Sequence, residues 1–478
     1  MDKPTDDAND PSGRARGMQS SGLTAQAPTL NPNDHLADFD GGRPTPARRR
    51  AMIMIALGEY LDGYDLIAIA GALLQLNVQF HLTASQTGLL GASSFFGATL
   101  GLLVAGSVAD RIGRRTIFVQ VFWLFAILAG LSALVMNFAQ LFAVRFLLGV
   151  CIGADIAISI PFLAEISPRK SRGRWAGAVP QIAWTLGAMS SLAMAAVLIT
   201  IAGEHAWRWL FGFGVVPALI ILVGRHSVPE SPRWLVSQGH FAEADAAMRA
   251  FGLETSVSAR DETQPALETE ARARGSYLDI FRAPHTRRAV FVITVLGIGP
   301  LVGSAASVAA PYVMHFVGDL GAVTSLGGSI LIWIGGFVGS IIAFLTVDRL
   351  GRFRSTAIAF WGSATCLILL TLTVKVPVLF VATYTLYGVC VWFGSSSNWL
   401  LPTELLPTHL RARAQGLGSG ASRLMAGFTT WLVPTGVEAV GFAPTFLALS
   451  VVGVVLGGFV LMNRRYESKG KSLDEALE

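Results

Sequence analysis

The residues of this chain best suited to chemistry are ionisable side chains placed inside long apolar stretches. Apolar stretches of about 20 residues are long enough to cross a lipid bilayer. Charged groups are costly there, and they commonly mark the paths of protons, ions or substrates. The charged residues in question are Glu59, Asp62, Asp65, Arg145, Asp155 and Arg423.

Four of these residues are expected to lie in two tiers. Glu59, Asp62 and Asp65 recur every three residues, so on a helix they lie near one face. At 1.5 Å per residue, Asp65 lies about 16 Å and Arg145 about 9 Å from the same end of their stretches, within reach of each other. Glu59 and Asp155 each lie about 12 Å from the other end. We therefore predict that Asp65 pairs with Arg145, and that Glu59 lies with Asp155 in a lower tier.

Such an arrangement can couple transport to protons. A carboxyl group changes its protonation when an arginine approaches or leaves, so movement of Arg145 between states would switch Asp65. We therefore assign Asp65, Asp62, Arg145, Asp155 and Glu59 to proton coupling. The alternative is a set of structural ion pairs, and for Glu59 the two interpretations are equally supported.

The composition is typical of a membrane protein. Hydrophobic residues make up 52% of the 478 positions, and charged residues make up 14%, against about 25% in globular proteins. The mean hydropathy is +0.55. Cys151, Cys366 and Cys390 lie in apolar stretches without CxxC spacing, so no metal, disulfide or cofactor is predicted. The sequence has no nucleophile–base set and no phosphate loop, which argues against an enzyme.

Twelve apolar stretches are predicted to be membrane-spanning helices. They lie near 51–76, 84–109, 116–136, 139–163, 175–201, 207–225, 288–317, 322–347, 355–374, 377–401, 411–437 and 442–463. The predicted domains are a disordered tail (1–46), a six-helix bundle (47–225), a linker with an amphipathic helix (226–287), a second six-helix bundle (288–464) and a short tail (465–478).

Basic residues gather on one side of the predicted spans. Arg48 to Arg50, Arg464, Arg465 and the loops after spans two, four, eight and ten carry them, whereas the opposite loops hold chiefly Arg208 and Lys375. The positive-inside rule then places both termini in the cytoplasm.

Two motifs occur twice at nearly the same offset. The first runs Gly106-Ser-Val-Ala-Asp110-Arg111-Ile-Gly113-Arg114 and recurs around Asp348-Arg349-Leu-Gly351-Arg352. The second runs Glu165-Ile-Ser-Pro168-Arg-Lys-Ser-Arg172 and recurs as Glu404-Leu-Leu-Pro407-Thr-His-Leu-Arg411. The offsets are 238 and 239 residues, by subtraction of the numbers of the first Asp and the first Glu. A fixed period indicates two similar halves, and the central glycines are predicted to form tight turns between helices.

These features resemble those of the major facilitator superfamily, in its sugar-porter-like branch. The resemblance is carried by the two Asp-Arg-x-Gly-Arg motifs, Arg145-Phe-Leu-Leu-Gly149, Pro229-Glu-Ser-Pro-Arg-Trp and the paired Glu-x-x-Pro motifs. It implies an all-α membrane protein with the major facilitator fold, in which 12 transmembrane helices form two six-helix bundles related by pseudo-two-fold symmetry. It also implies a monomer whose halves rock about a central site.

The resemblance further implies roles for individual residues. The pair Asp65 and Arg145 matches the proton-coupling pair of bacterial sugar symporters, and Gly153-Ala-Asp155 resembles a motif of phosphate:proton symporters. The cytoplasmic motifs would latch the halves together when the cavity opens outward; the alternative is charge that only sets topology. The latch residues are Asp110, Arg111, Gly113, Arg114, Glu165, Arg172, Asp348, Arg349, Arg352, Glu404 and Arg411.

The second half differs from that of sugar porters. Span seven has no Gln or Asn for sugar hydroxyls, and Ser395-Ser-Ser-Asn398 precedes Trp399, where sugar porters carry Gly-Pro. The segment Asp62-Gly-Tyr-Asp65 resembles the first-span motif of aromatic-acid:proton symporters, and an arginine like Arg423 marks the aromatic-acid and niacin-type branches. A buried arginine can bind a carboxylate through two hydrogen bonds. The alternative is that Arg423 pairs with an acid or with helix carbonyls.

The repeat assigns different tasks to the two halves. The counterparts of Asp65 and Arg145 are Gly303 and Tyr384, so the first half is predicted to carry the proton and the second to select the substrate. Other aromatic residues of spans eight and ten, including Trp333 and Trp392, could also wall an aromatic ring, but packing or lipid contact is the favoured interpretation for most of them. The predicted substrate contacts are Arg423, Gln181, Trp399, Asn398 and Tyr384.

The sequence thus predicts a proton-coupled importer of a small organic anion, an aromatic or heteroaromatic monocarboxylate. The alternatives are a sugar or polyol symporter, favoured by Gln181 and the Pro-Glu-Ser-Pro-Arg-Trp motif, an exporter of drugs or metabolites, and a nutrient sensor with a transporter fold. The predicted partners are the substrate, protons and the lipid bilayer, with no nucleic acid. The predicted location is the cytoplasmic membrane of a bacterium.

Overall fold

The part of the chain that the structure describes is almost entirely helical. This computed structural model describes residues 44–112, 114–168, 175, 179–237, 240–252, 280, 286–399, 401–406 and 408–466. The predicted N-terminal tail, most of the linker and the last residues of the C-terminal tail therefore lie largely outside the described residues.

Seventeen α-helices occur within these ranges. In the first half they are α1 (Pro46–Phe80), α2 (Ala84–Ile112), α3 (Arg114–Leu134), α4 (Phe138–Ile166), α5 (Val179–Ala202), α6 (Ala206–Phe213) and α7 (Val215–His226). Two short helices follow, α8 (Pro232–Ser237) and α9 (Phe241–Ala250). In the second half they are α10 (Thr286–Val308), α11 (Ala310–Phe316), α12 (Ala322–Leu350), α13 (Arg352–Thr373), α14 (Pro377–Asn398), α15 (Leu401–Leu405), α16 (Thr408–Val440) and α17 (Phe442–Met462).

Each of the twelve predicted spans corresponds to helix in the structure. Ten are single helices, whereas the sixth span is divided into α6 and α7 at Gly214 and the seventh into α10 and α11 at Ala309. The second break precedes Pro311 at the start of α11, where proline needs no hydrogen-bonded N–H. Nine stretches of described helix are apolar enough to cross a membrane by length and mean hydropathy. The helices α1 and α16, which carry Glu59, Asp62, Asp65 and Arg423, are not among them.

Glycines let neighbouring helices touch backbone to backbone, and both halves use this device. A Cβ atom on Gly149 of α4 would lie 2.1 Å from the Ser94 carbonyl oxygen of α2. In the second half, a Cβ atom on Gly339 of α12 would lie 2.3 Å from the Val389 carbonyl oxygen of α14. Small residues at such positions are a common way to pack membrane helices. The α2–α4 and α12–α14 contacts are therefore equivalent parts of the two similar bundles.

The two halves meet along α2 with α16 and along α5 with α12. Near the start of α2, the Trp431 indole donates a hydrogen bond of 3.1 Å to the Ser85 hydroxyl, and Gly88 packs against the Trp431 backbone. The apolar core of the first half continues into the second through Val308 and Ala426. We call the membrane side that bears α8 and α9 the linker side, and the other the opposite side. The halves are thus joined on the opposite side.

The described part of the linker packs on the first half. The short amphipathic helix predicted there is α9, which buries Ala244, Ala247 and Met248. The Thr45 hydroxyl donates to the Phe251 carbonyl, so the end of α9 is attached to the start of α1. The Arg115 backbone N–H donates to Glu230 at 2.9 Å.

The glycine contacts lead to a stability prediction. The substitution Gly149→Val would force α2 and α4 apart, because its Cβ has no space beside Ser94. Overpacking of this kind costs about 1–3 kcal/mol, so the melting temperature of the detergent-purified protein should fall. The matched control is Gly327→Ala on α12, where a Cβ meets nothing within 4 Å. Equal melting temperatures for the two variants would contradict the packing role of Gly149.

Candidate functional site

One buried ion pair joins α1 to α4, as the sequence predicts. The Arg145 guanidinium donates to the Asp65 carboxylate at 2.8 Å and to the Asp65 backbone carbonyl at 2.6 Å. Both side chains are almost completely inaccessible to solvent, and the guanidinium lies 5.1 Å from the centre of the Phe211 ring. The predicted pairing of Asp65 with Arg145 is confirmed, whereas their role in proton coupling stays a prediction.

A second buried ion pair was not foreseen in the sequence. The Arg225 guanidinium of α7 binds both carboxylate oxygens of Asp155, one of them at 3.1 Å. It lies over the rings of Phe118 and Phe122, 3.7 and 4.0 Å from their centres, and also contacts the Ile55 carbonyl. Such stacking on aromatic rings is typical of arginine.

This second pair corrects the predicted lower tier. Asp155 interacts electrostatically with Glu59, as expected, but its bonded partner is Arg225. Arg225 is the last residue of the sixth predicted span, where a basic residue is usually interpreted as a charge at the membrane surface. Gly58 makes room for this contact, since a Cβ there would lie 2.0 Å from the Arg225 guanidinium.

Three charged residues remain without a bonded partner among the described residues. Asp62 is fully buried, and neither of its carboxylate oxygens has a hydrogen bond; Oε1 of Glu59 has none either. Arg423 of α16 is half-buried and interacts electrostatically with both acids, but no ion pair within 4.0 Å joins them. A buried carboxylate without hydrogen bonds is costly, so it needs a proton or a movable cation to neutralise it.

A central cavity of about 200 Å³ opens beside these unpaired groups. Its polar wall residues are Glu59, Gln181, Ser304, Ser363, Ser395, Asn398, Ser422 and Arg423. Its aromatic wall residues are Phe95, Trp184, Trp333, Phe360, Trp392 and Trp399. A mostly apolar concave site with a few converging polar groups is the usual form of a small-molecule site. Most of the wall belongs to the second half, while the role of that half in selecting the substrate stays a prediction.

Comparison with known proteins now identifies the family. A model of the family described as Sugar (and other) transporter matches residues 51–478. The chain belongs to this family. The inner membrane metabolite transport protein YgcS of Escherichia coli K12 is 32% identical over 417 residues, which are 85% of this chain and 88% of that protein. The arabinose-proton symporter of Bacillus subtilis 168 is 28% identical over 440 residues, 88% of this chain and 92% of that protein.

A solved structure supports the same fold. The xylose transporter XylE of E. coli, in a partially occluded inward-open conformation, matches with a TM-score of 0.73 at 22% identity, covering 90% of this chain and 100% of that one. The protein is therefore a multi-pass membrane transporter with the major facilitator fold and is not an enzyme.

Four of the five predicted substrate contacts line the cavity of this transporter. They are Arg423, Gln181, Trp399 and Asn398, the last of which accepts a hydrogen bond of 2.9 Å from Thr356. Tyr384 does not line it. Its ring is fully buried among Phe380 and Tyr387 in the core of the second half, so the sequence placed it wrongly in the cavity wall.

Three tryptophans form a cluster in the cavity wall that was not predicted from the sequence, and we call it the indole cluster. Trp184 of α5, Trp333 of α12 and Trp392 of α14 pack their rings together. The sequence offered Trp333 and Trp392 as possible wall residues but favoured packing or lipid contact for them, and it gave Trp184 no role. Helical periodicity cannot show that rings from two bundles converge, because the rotation of each helix is set by tertiary packing.

Most side chains of the predicted latch lie outside the part of the chain that the structure describes. Gly113 and Arg172 lie outside the described residues, as do the side chains of Asp110, Arg111, Arg114, Asp348, Glu404 and Arg411. Glu165 accepts a hydrogen bond from Ser231 of the linker. Arg349 is exposed and Arg352 half-buried, and both have contacts. The latch stays a prediction.

The Asp155–Arg225 pair generates a second stability prediction. The substitution Arg225→Met leaves Asp155 buried without its cation, and breaking a buried pair in this way costs about 3–5 kcal/mol. Thermal unfolding of the purified protein should show a lower melting temperature. Adding Asp155→Leu should restore part of the loss, because no charge is then left unpaired. A single variant as stable as the unmodified transporter would contradict the assignment.

Proposed function

We propose that this transporter is a proton-coupled symporter of a small organic anion, an aromatic or heteroaromatic monocarboxylate. The observation that carries the proposal is Arg423, a cation in the cavity wall without a hydrogen bond or ion pair among the described residues. Arginine binds carboxylates through two parallel hydrogen bonds, and this geometry selects for a planar anionic group.

The unpaired acids supply the proton coupling. Without substrate, Arg423 offsets the charge of Glu59 and Asp62, with which it interacts electrostatically. When a substrate carboxylate binds Arg423, that compensation is lost and an acid must take up a proton to remain buried. Proton and anion then cross the membrane together. Asp62 also interacts electrostatically with Asp155, Arg225 and Glu59.

Asp65 and Asp155 have a different task in this mechanism. Each is already neutralised by a bonded arginine, and neither lies in the cavity wall. We infer that Glu59 and Asp62 exchange the proton, whereas the Asp65–Arg145 pair fixes the turn of α1 on which Asp62 lies. The sequence assigned proton coupling to Asp65, Asp62, Arg145, Asp155 and Glu59 together, and we narrow the proton carriers to Glu59 and Asp62.

The aromatic wall favours a flat substrate. Trp184, Trp392 and Trp399 face the same cavity as Arg423. Indole rings contribute a large apolar area and prefer offset or edge contacts with another ring. A carboxylate on Arg423 would leave the ring of a benzoate-like or nicotinate-like molecule among these side chains.

The family background supports proton symport and a bacterial inner-membrane location. The arabinose-proton symporter of B. subtilis and the inner membrane protein YgcS of E. coli are named accordingly. We further propose that the linker side is the cytoplasmic side, because the basic residues gather there. We also propose that the transporter imports its substrate and acts as a monomer.

A sugar or polyol:proton symporter is the second candidate. Gln181 and Asn398 place two amides in the cavity wall, and Ser304, Ser363 and Ser395 add hydroxyls. Amides and hydroxyls can pair with sugar hydroxyls in both directions. The arabinose-proton symporter and the xylose transporter described above are relatives named for sugars, and they favour this candidate.

Uptake by proteoliposomes distinguishes the two candidates. Labelled benzoate, nicotinate, arabinose and xylose are supplied with a proton gradient, with and without a protonophore. Hydrogen bonds to charged groups contribute about 1.5–3 kcal/mol, so Arg423→Gln should weaken anion affinity by about 10- to 100-fold. The control Gln181→Ala should affect the anion far less. Uptake of sugars only, with greater sensitivity to Gln181→Ala than to Arg423→Gln, would contradict the anion proposal.

The pH dependence tests the proton carriers. A proton must be bound for loading, so uptake should rise as the pH on the substrate side falls. The double variant Glu59→Gln/Asp62→Asn is always neutral, so its exchange of labelled for unlabelled substrate should continue and lose its pH dependence. Accumulation driven by a proton gradient should be abolished. The control is Glu204→Gln, an exposed acid outside the spans. Gradient-driven accumulation by the double variant would exclude both acids as carriers.

A further inference from the structure

The indole cluster joins the two halves of the transporter directly beside the cavity. The Trp184 ring of the first half lies 5.2 Å from the Trp333 ring and 5.4 Å from the Trp392 ring, centre to centre. The two rings of the second half lie 5.7 Å apart. Any relative rotation of the halves about the cavity must change the contacts that Trp184 makes.

The backbone of Trp184 is held against the turn of α1 that carries the acids. A Cβ atom on Gly63 would lie 2.1 Å from the Trp184 carbonyl oxygen, so the two backbones are in direct contact. One turn further, a Cβ on Gly187 would lie 1.9 Å from the Tyr60 carbonyl oxygen. Gly63 follows Asp62 in the chain. Because this contact has no space to absorb a displacement, a shift of this turn would be passed to Trp184.

The other two rings are fixed within the second half. Gly336 of α12 lies beneath the Trp392 ring, since a Cβ there would be 2.6 Å from Cδ1 of that indole. Trp333 is 2% exposed and also lies on α12. These two rings therefore move with the second bundle, and Trp184 is the ring that reaches them from the first.

The cluster lies on the opposite-side part of the cavity wall. On α5, Trp184 is further from the linker side than Gln181, and on α14, Trp392 is further than Ser395 and Asn398. Trp333 belongs to the apolar core that crosses from one half to the other. The rings thus contribute to closing the cavity toward the opposite side.

The contact of the Trp184 ring with the Trp333 and Trp392 rings also has a feature that lowers the cost of separating them. The indole N–H groups of Trp184 and Trp333 are buried without an acceptor among the described residues. Leaving a buried donor unpaired costs free energy, and water or substrate can supply the missing acceptor once the rings part. The free-energy cost of the unpaired N–H groups offsets part of the stabilisation from ring packing. The free energies of the joined and parted arrangements therefore differ less than they would if every N–H group were paired.

We propose that Trp184 is a positioning residue that closes the cavity toward the opposite side and makes that closure respond to the charge on Asp62 of α1. The proposal rests on the proton-coupling part of the proposed function and is independent of the substrate. Its chain of contacts runs from Asp62 through Gly63 to the Trp184 backbone, and from the Trp184 ring to Trp333 and Trp392.

Thiol labelling of the cavity tests this closure without any substrate. Ser422→Cys places a thiol in the cavity wall, in a background where Cys151, Cys366 and Cys390 are replaced by alanine. A membrane-impermeant maleimide is added to intact cells and, separately, to inside-out vesicles. Trp184→Ala removes two ring contacts, so labelling from the opposite side should be about tenfold faster, because each 1.4 kcal/mol is a factor of ten.

The controls separate this effect from general loosening. Trp209→Ala removes an indole that is 66% exposed, and labelling should stay unchanged. Trp184→Phe keeps a ring in place and should have a smaller effect than alanine. If Trp184→Ala does not fold, Trp333→Ala and Trp392→Ala test the same contact from the other half. Unchanged labelling from the opposite side in the folded variants overturns the proposal.

A double-mutant cycle tests the connection to α1. Asp62→Asn fixes a neutral side chain and should change the opposite-side labelling rate when Trp184 is present. In the Trp184→Ala background the same substitution should have little effect, because the contact that transmits it is gone. Equal effects in both backgrounds, or none in either, overturn the connection. Failure of anion uptake in the proteoliposome assay leaves both labelling results unaffected, so the two proposals fail separately.

Discussion

The imbalance of charge around the central cavity is the constraint on which the rest of the site depends. Three acids of the first span and one of the fourth are buried, and a low-dielectric surrounding does not tolerate isolated charges. Two of these acids, Asp65 and Asp155, are neutralised by arginines bonded within the first half. Glu59 and Asp62 are not; both interact electrostatically with Arg225 of the first half and with Arg423 on the other half. Neutrality of the site therefore depends on the relative position of the halves and on what occupies the cavity.

The paired acids hold helices of the first half together, whereas the unpaired acids are the ones that can respond to a change in the cavity. The pairs of Asp65 with Arg145 and of Asp155 with Arg225 tie helices α1, α4 and α7 into one body, together with the glycine contacts of α2 with α4. A rigid bundle is what allows a small change at Asp62 to be passed on instead of absorbed locally. The indole cluster then offers a place where that change meets the second bundle. The two halves share a fold but not their charges, since Gly303 and Tyr384 occupy the positions that match Asp65 and Arg145. The second bundle instead forms most of the cavity wall.

Much of the architecture could be predicted from the sequence, because the length of an apolar run in a membrane protein fixes a spanning helix almost by itself. The breaks at Gly214 and Ala309 could not, since they depend on how neighbouring helices pack. The pair of Asp65 with Arg145 was predictable because both residues lie deep within spans. The partner of Asp155 was not, because Arg225 lies at a span end and is retained inside by the Phe118 and Phe122 rings of a third helix. Tyr384 and the indole cluster show the same limit, since depth in a span can be counted from the sequence, but the direction in which a helix faces cannot.

The most direct test of the central claim is the number of protons taken up when the purified transporter binds its anion. Calorimetric titration with nicotinate or benzoate in buffers of different ionisation enthalpy measures this number at constant pH. We expect proton uptake on binding to the unmodified protein, because the substrate carboxylate takes up the charge of Arg423 that had offset the acids, and none in the Glu59→Gln/Asp62→Asn variant. Anion binding with no proton uptake by the unmodified protein would contradict the claim that substrate and proton are coupled through Arg423.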